Sequence, residues 1–391
     1  MNISPTGFPS DLLTQPPSMR LQYFQTYTMA HPRLSAAKDA LIHAIHAMPP
    51  NSLILVFGPT GVGKTTLRQK IEQILTNEML PHLATDPGRI PVVSLECIAS
   101  DSGIFKWRDH FRRLLLEMQE PLVDYKLSPE HPVRPGNTVR FRPGARAAGN
   151  EYHHAVECTL RFRRPAAVLL DEAQHLARMA SGRRLADQMD VIKSLANRTQ
   201  IIHILLGTYD LLAFRNLSGQ LSRRSMDIHF SRYRFDDPED KKSFQAVLRS
   251  FEKHVPVPEP PDLLSHCEYL YERSIGCVGL LKDWLARTLI TAIARNSSTL
   301  TYKDLQAHEL STSQCDKILS EALEGEARLL EEPTARSRLR VRLGLSCQED
   351  SQPGNASVGA VSIGKRRKQP GKRHPRRDPI GPIPHATTLS L

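Results

Sequence analysis

A glycine-rich segment, residues 58–65, has the residue types and spacing that hold a phosphate group. It reads GPTGVGKT and matches the pattern G-x-x-x-x-G-K-[ST], with an apolar run before it and a helical pattern after it. Glycines let such a loop curl so that backbone N–H groups face phosphate oxygens, and the following helix adds its dipole. Lys64 is predicted to reach the β- and γ-phosphates of ATP, and the Thr65 hydroxyl to ligate Mg²⁺. The candidate nucleotide-binding residues are Gly58, Pro59, Thr60, Gly61, Val62, Gly63, Lys64, Thr65 and Thr66.

Two adjacent carboxylates follow a second apolar run, residues 166–170. Asp171 is predicted to help hold Mg²⁺, directly or through water, and Glu172 to polarise the attacking water as general base. A strand that ends in Asp-Glu carries little weight alone. Downstream of a phosphate loop, the pair indicates hydrolysis of ATP.

Two later polar positions could complete such a site. Thr208 follows the apolar run 201–206 and could orient the water or the γ-phosphate, although a plain strand-ending turn would look the same. Arg223 and Arg224 could reach the γ-phosphate of a neighbouring subunit as an arginine finger. The alternative is an ordinary pair of surface arginines.

Apolar strands alternate with helical patterns, which predicts an α/β fold whose parallel sheet is covered on both faces. The predicted strands are 52–57, 91–97, 166–170, 201–206 and 227–235. The predicted helices between and before them are 34–47, 65–75, 103–119, 151–163 and 183–198. Beyond Pro238 the pattern is all helical, with helices predicted at 239–254, 262–273, 278–295 and 313–331.

The chain is predicted to have four parts. An N-terminal helical segment (1–50) precedes a phosphate-loop core (51–237), which contains a long basic loop at 128–150. A small helical lid (238–332) follows. Residues 333–391 lack apolar periodicity and are rich in Pro, Gly, Ser and Arg, so they are predicted to be a disordered basic tail.

The positive charge is concentrated at one end of the 391-residue chain. Of the formal net charge of +11, residues 333–391 contribute 12 Lys and Arg against 3 Asp and Glu. The rest is nearly balanced, so the tail and not the body is expected to attract a polyanion. It could contact DNA, dock on an acidic partner surface or only aid solubility.

The sequence also predicts the cellular location of the protein. No apolar run approaches the roughly 18–20 residues of a membrane span, and the N-terminus lacks the pattern of a secretory signal. The six cysteines form no C-x-x-C pair and no zinc-ligand spacing, which predicts reduced thiols. We therefore expect a cytoplasmic protein with no membrane contact.

These motifs, in this order, resemble the AAA+ ATPases: a phosphate loop, an Asp-Glu strand, a polar strand end, an arginine pair and a helical lid. Residues 278–285, VGLLKDWL, resemble the second-sensor helix of that class. Lys282 stands where the class usually has arginine. A lysine keeps a positive charge near the γ-phosphate but lacks the planar fork of a guanidinium.

Within the class, the sequence resembles the transposition regulators of the TniB/TnsC group, relatives of MuB, over residues 20–310. The segments that carry the resemblance are the helix around His31-Pro32-Arg33 and the runs GPTGVGKTT, VLLDEAQHL, LLGTYD, QLSRR and GLLKDWL. The separation of Lys64 and Asp171 is long for the class, and the loop 128–150 accounts for the excess.

The resemblance implies a set of partners and cofactors. Such regulators use ATP and Mg²⁺, and in the ATP-bound state they bind double-stranded DNA without sequence specificity. They assemble with themselves into helical filaments or rings, with roughly six or seven subunits per turn. They recruit a transposase, respond to a target-selection adaptor and disassemble when ATP is hydrolysed. A bacterial, DNA-associated location follows from the same resemblance.

Sequence-neutral DNA binding depends on phosphate contacts from Lys, Arg and backbone N–H groups. Lys106 and Arg108 are candidates because the segment after the second strand lines the filament pore in the related regulators. Arg134 and Arg140, in the loop 128–150, are also candidates. A solvated helix face and an ordinary surface loop are the alternatives.

Two other functions fit the same motifs. One is a helicase loader or replication initiator, and the other is a nucleotide-gated signalling scaffold that does not bind DNA. A loader usually carries a dedicated DNA-binding or helicase-binding domain. Residues 333–391 are too polar and Pro-rich for a winged helix, which disfavours an initiator.

Overall fold

Five parallel strands form the central sheet of the fold, in the order β2-β3-β4-β1-β5. They are β1 (Leu53–Phe57), β2 (Val93–Glu96), β3 (Ala167–Asp171), β4 (Ile202–Gly207) and β5 (Ser225–His229). Every residue of β1, β3 and β4 is buried, because these strands have neighbours on both sides and helices on both faces. The predicted α/β fold with a parallel sheet is therefore confirmed.

The computed structural model describes residues 7–99, 105–125, 147–178, 183–215, 225–330 and 335–345. The chain divides into two compact units, Met1–Glu331 and Glu332–Leu391. In the first unit, the helices up to β5 are α1 (Pro17–Thr26), α2 (Pro32–Ala47), α3 (Lys64–Thr85), α4 (Trp107–Glu117), α5 (Ala147–Arg163), α6 (Gln174–Arg178), α7 (Arg183–Thr199) and α8 (Leu212–Arg215). The helices after β5 are α9 (Pro238–His254), α10 (Cys267–Ser274), α11 (Val278–Ala294), α12 (Tyr302–Gln306) and α13 (Thr312–Leu329). Short 3-10 turns occur at Ser10–Thr14, Val123–Tyr125 and Tyr209–Leu211. The described part of the second unit contains α14 (Ala335–Arg342).

The strand register brings the predicted functional residues to one edge of the sheet. Phe57, the last residue of β1, pairs with Gly207 of β4. Glu96 of β2 pairs with Asp171 of β3. Since the strands are parallel, the segments that follow β1, β3 and β4 all leave the sheet at its carboxyl edge.

Alternating side chains of the strands enter two separate cores. Leu55 and Leu205 face one core, which α4, α5 and α7 complete. Ile54 and Ile204 face the other, which α2 and α3 complete. The apolar sheet thus fixes helix α3, and with it the phosphate loop, against β1.

A third core lies among the helices after Pro238 and includes the N-terminal helix α1. Phe24 of α1 is fully buried there with Trp284 of α11. The Arg20 guanidinium donates two hydrogen bonds to the Pro256 carbonyl oxygen, and Arg33 forms an ion pair with Asp240. Helix α1 therefore packs with the lid helices, whereas α2 packs on the sheet.

Several sequence predictions are wrong in detail. Helix α1 was not predicted, because its few apolar residues do not follow a clear helical spacing. The strand predicted at 227–235 ends at His229, and the helix predicted at 262–273 begins only at Cys267. The basic loop predicted at 128–150 ends earlier than expected, since α5 starts at Ala147.

The predicted disorder of residues 333–391 is wrong for Ala335–Arg342, which form helix α14. Its sequence alternates arginine with apolar residues and has no amphipathic spacing, so periodicity could not reveal it. Residues 346–391, with most of the basic cluster, lie outside the described residues.

Two features relate to the predicted cellular setting. Among the helices that the structure describes, none has the length and apolarity needed to cross a bilayer. Five cysteines within the described residues are free thiols: Cys97, Cys158, Cys267, Cys277 and Cys315.

Three buried histidines predict that the fold loses stability in mild acid. Burial lowers the pKa of His31 and His203 to about 4 and that of His110 to about 3, from an ordinary value of 6.5. Between pH 6.5 and 4 the unfolded chain therefore binds protons that the folded chain does not, so the free energy of unfolding falls as the pH falls. Denaturant titration across this range measures the slope.

The substitution His203→Leu removes one of these groups and should make that slope shallower. The substitution of an exposed histidine, His43→Leu, should leave it unchanged and is the control. Equal slopes for His203→Leu and the wild type would contradict the assignment.

Candidate nucleotide site

The phosphate loop is a tight turn between β1 and α3. Gly61 and Gly63 have φ angles of 74° and 113°, which lie in the left-handed region that favours glycine. Helix α3 begins at Lys64, immediately after Gly63. The loop therefore ends at a helix N-terminus, where unpaired backbone N–H groups and the helix dipole favour an anion.

The ammonium group of Lys64 is buried inside this loop. Its side chain is 7% exposed, and its Nζ donates hydrogen bonds to the carbonyl oxygens of Gly58 (3.1 Å) and Pro59 (2.8 Å). Burial lowers the pKa of Lys64, and the negative charges of Glu172 and Asp171 oppose that shift. A buried cation with two neutral partners is well prepared to exchange them for phosphate oxygens.

Asp171 ends β3 beside the first turn of α3. The Thr65 hydroxyl donates to Asp171 Oδ2 across 3.0 Å. The two oxygens suit Mg²⁺, which usually takes one or two protein carboxylates and completes its shell with water and phosphate oxygens. Within the described ranges no group of three or more His, Cys, Asp or Glu side chains could hold a metal ion.

Arg68 is a further member of the site that the sequence motifs did not reveal. Its Nε donates to Asp171 Oδ2 across 3.2 Å, and its Nη1 donates to Glu72 and to Ser94 of β2. The available signal was helical spacing, since Arg68 lies one turn after Lys64. Arg68 thus forms an ion pair with the Asp171 carboxylate at the edge of the sheet.

Glu172 follows in an unusual backbone conformation. Its φ angle is 51°, and its backbone N–H donates to Asp171 Oδ1 across 2.9 Å. Left-handed conformations of non-glycine residues cost free energy and concentrate at functional sites.

Thr208 lies just past β4, and its hydroxyl donates to Asp210 across 3.3 Å. The buried side chain of Gln174 lies between Glu172 and Thr208 and contacts both.

The lid contacts the phosphate loop directly. The Leu280 N–H, in the first turn of α11, donates to the Gly61 carbonyl oxygen across 3.2 Å. A Cβ atom on Gly279 would come within 2.4 Å of that same oxygen, so only glycine permits the approach. The position of α11 is therefore fixed by the conformation of the loop.

A small cavity of about 40 Å³ lies beside this contact. Its walls come from the segment before α2, the phosphate loop and α11, namely Tyr27, Thr28, Met29, His31, Leu34, Val62, Gly63, Thr66, Phe251, Val278, Gly279 and Lys282. The ammonium of Lys282 donates to the Gln25 carbonyl oxygen across 2.7 Å, and burial lowers its pKa. Lys282 thus lines the cavity but bonds to the N-terminal segment, and its role at the γ-phosphate stays a prediction.

A second cavity, of about 230 Å³, opens on the other side of the loop between Thr60, Thr208 and helix α13. Helix α13 touches the strand end closely there, since a Cβ on Gly325 would fall 2.1 Å from the Tyr209 ring. The ion pair of Arg232 with Glu326 fixes the same helix.

The predicted DNA contacts are placed only in part. Lys106 and Arg108 are exposed at the start of α4. Arg112, on the same helix, is held by two hydrogen bonds to Asp124, at 2.5 and 2.8 Å. The other two predicted DNA contacts, Arg134 and Arg140, lie outside the described residues. The predicted arginine finger, Arg223 and Arg224, lies outside them as well.

Loss of the Lys64 ammonium should abolish ATP binding. The variant Lys64→Ala removes the charge that the phosphates need while the loop glycines remain, so titration with a fluorescent ATP analogue should show no saturable binding. Lys70→Ala, on the same helix but away from the loop, is the matched control and should bind normally. Wild-type affinity in Lys64→Ala would contradict the site.

Comparison with known proteins agrees with this geometry. Residues 49–214 match a family model described as AAA domain. No curated protein matches the sequence. A structure of the Aeropyrum pernix ORC2 protein in ADPNP-ADP complexes is 14% identical with a TM-score of 0.48, and the match covers 74% of this chain and 72% of that chain.

Two further solved structures are similar at the same low level. The Walker-type ATPase paby2304 of Pyrococcus abyssi is 15% identical with a TM-score of 0.41, covering 82% of this chain and 80% of that one. Drosophila ORC bound to DNA is 12% identical with a TM-score of 0.43, covering 87% of each chain. Residues 49–214 are thus similar to the AAA domain family, and the five-stranded parallel sheet shows that the chain has an α/β fold.

Proposed function

We propose that the protein is an ATP-dependent, DNA-binding regulator of transposition that assembles on duplex DNA in its ATP-bound state. The observation that carries the ATPase part is the placement of Asp171 and Glu172 beside Thr65, at the edge where the phosphate loop begins. One edge of the sheet thus holds the Lys64 ammonium, the predicted Mg²⁺ ligands Thr65 and Asp171, and the candidate base Glu172. This combination suits hydrolysis of a phosphate anhydride.

Each residue has a distinct part in this reaction. Lys64 exchanges its two carbonyl partners for oxygens of the β- and γ-phosphates. Thr65 and Asp171 would hold Mg²⁺, which when bound supplies positive charge to the phosphate oxygens. Glu172 takes a proton from water while the water oxygen attacks the γ-phosphorus, and the bond from that phosphorus to the ADP oxygen breaks. Thr208 orients the water or the γ-phosphate.

The DNA-binding part of the proposal is supported by charge. Lys106 and Arg108 are exposed at the start of α4. The C-terminal 59 residues carry a large excess of positive charge over the nearly balanced remainder. Contacts of this kind read the phosphate backbone without selecting a sequence, and their strength falls with salt.

The assignment to transposition and to self-assembly is supported by the combined sequence motifs that resemble the TniB/TnsC regulators. Under this proposal Arg223 and Arg224 of one subunit act on the nucleotide of the next. A transposase and a target-selection adaptor are then the protein partners, and hydrolysis releases the assembly from DNA.

The variant Glu172→Gln should separate ATP binding from hydrolysis. The amide has nearly the same size but cannot accept the proton, so phosphate release should fall by about 10²- to 10⁴-fold. Asp171 and Lys64 are unchanged, so ATP should still bind. The variant should then persist on duplex DNA after dilution into ATP, and the DNA-bound lifetime measures this.

Glu239→Gln, an exposed carboxylate at the start of α9, is the control and should behave as the wild type. Lost hydrolysis with a shortened lifetime on DNA would contradict an ATP-bound gripping state. ATP binding without any DNA binding would favour a nucleotide-gated scaffold, and loading of a helicase ring would favour a loader.

The arginine pair should act between subunits. Arg223→Ala/Arg224→Ala leaves the phosphate loop intact, so this variant should bind ATP but fail to support hydrolysis in its neighbour. Mixing it with Lys64→Ala should restore part of the activity, because one interface then combines an intact loop with intact arginines. A mixture that co-assembles but stays inactive would rule out action between subunits.

A further inference from the structure

We propose that Gln174 is a positioning residue that holds the Glu172 carboxylate in place for catalysis and ties it to the end of β4. The proposal rests on the proposed function, because it takes Glu172 as the general base of ATP hydrolysis. Gln174 lies in the run VLLDEAQHL, two residues past the Asp-Glu pair, and the sequence analysis assigned it no role.

The Gln174 amide connects two strands that each carry a predicted functional residue. Gln174 Nε2 donates to Glu172 Oε2 across 2.5 Å, and Gln174 Oε1 accepts from the Thr208 backbone N–H across 3.2 Å. A backbone N–H can only donate, so the amide oxygen must face Thr208 and the NH₂ group must face the carboxylate. The orientation of the amide is thus fixed by its partners.

The surroundings of Gln174 leave the side chain little freedom. The residue is 3% exposed at the start of helix α6. A Cβ on Gly207 would lie 2.4 Å from Gln174 Oε1 and 3.1 Å from Gln174 N. Glycine at the end of β4 therefore makes room for the amide, and an alanine there would push it away from Glu172.

Glu172 needs such a partner because its own backbone is unusual. With a φ angle of 51° it occupies a turn, and the turn alone does not direct its side chain. The bond to Gln174 fixes one carboxylate oxygen and leaves the other oxygen to meet a water. Since general-base catalysis depends on position first, a restrained carboxylate is the better base.

The two adjacent carboxylates have partners of different charge. Asp171 forms an ion pair with the cationic guanidinium of Arg68. Glu172 contacts the neutral amide of Gln174, which orients the carboxylate without adding a positive charge.

The test compares Gln174→Glu and Gln174→Met with the wild type. Both substitutions keep the side-chain length and remove the donor to Glu172, so kcat should fall by about 10- to 100-fold. The affinity for ATP should stay within about twofold, because Lys64 and Asp171 are untouched.

A pH profile separates positioning from a structural role. In Gln174→Glu the introduced carboxyl faces Glu172, and two close carboxylates share a proton more readily as the pH falls. The protonated carboxyl can donate to Glu172, so the kcat of this variant relative to the wild type should rise toward lower pH. Gln174→Met has no such proton, and its relative kcat should not rise.

Variants of Gln200 and a double variant of Glu172 and Gln174 serve as controls. Gln200→Glu and Gln200→Met alter an exposed glutamine whose amide donates to the Asn197 carbonyl oxygen, and they should leave kcat unchanged. The double variant Glu172→Gln/Gln174→Glu exchanges amide and carboxylate. It should keep the melting temperature of the wild type, yet hydrolysis should stay low because the base has moved.

The outcomes distinguish the assignment of Glu172 as the base from the assignment of Gln174 as the residue that positions it. Wild-type hydrolysis in Glu172→Gln would overturn the base assignment, and the proposed function with it. Lost hydrolysis in Glu172→Gln with wild-type kcat in both Gln174 variants would overturn the positioning role alone. A joint loss of kcat, ATP affinity and melting temperature in both Gln174 variants would also overturn it, since Gln174 would then act only through the fold.

Discussion

The buried ammonium ion of Lys64 is the interaction around which the rest of the structure is arranged. A cation removed from water needs oxygen partners, and the glycine loop supplies two carbonyl oxygens by curling back over the start of α3. The apolar strand β1 holds one end of this loop and the sheet core holds α3 at the other. Phosphate oxygens, which are ionised, are stronger partners for the ammonium than carbonyl oxygens. The carbonyl oxygens of the loop thus pair with the Lys64 ammonium, and the phosphates of a nucleotide would bind it more strongly.

The same loop is mechanically connected to the lid and to the N-terminal segment. Gly61 bonds to the first turn of α11, while Lys282 of α11 bonds to the end of α1. Arg33 and Asp240 join the start of α2 to α9. The loop therefore contacts α11 directly and is linked through Lys282 of α11 to α1. This arrangement is what an ATP-dependent switch requires, because a ligand acts on an equilibrium through contacts that differ between its states.

The sequence predicted the parts of the site that are contiguous in the chain. The phosphate loop and the Asp171-Glu172 pair lie in short motifs beside apolar strands, and the strands are where those motifs put them. The contacts of Arg68 and Gln174 were not predicted, because they depend on side chains from separate strands and helices meeting at one edge. Likewise α1 packs with the lid through residues more than two hundred positions away, and no local pattern can express such a contact. Helix α14 lacked the periodicity on which a prediction depends.

Under the proposed function, ATP at the phosphate loop controls assembly of the protein on duplex DNA. Electron microscopy of the full chain with duplex DNA, in the presence of either a slowly hydrolysed ATP analogue or ADP, tests this control. We expect ordered rings or filaments on DNA with the analogue and bare DNA with ADP. Equal decoration in both nucleotides, or bare DNA with the analogue under conditions where nucleotide binding is saturated, would contradict it.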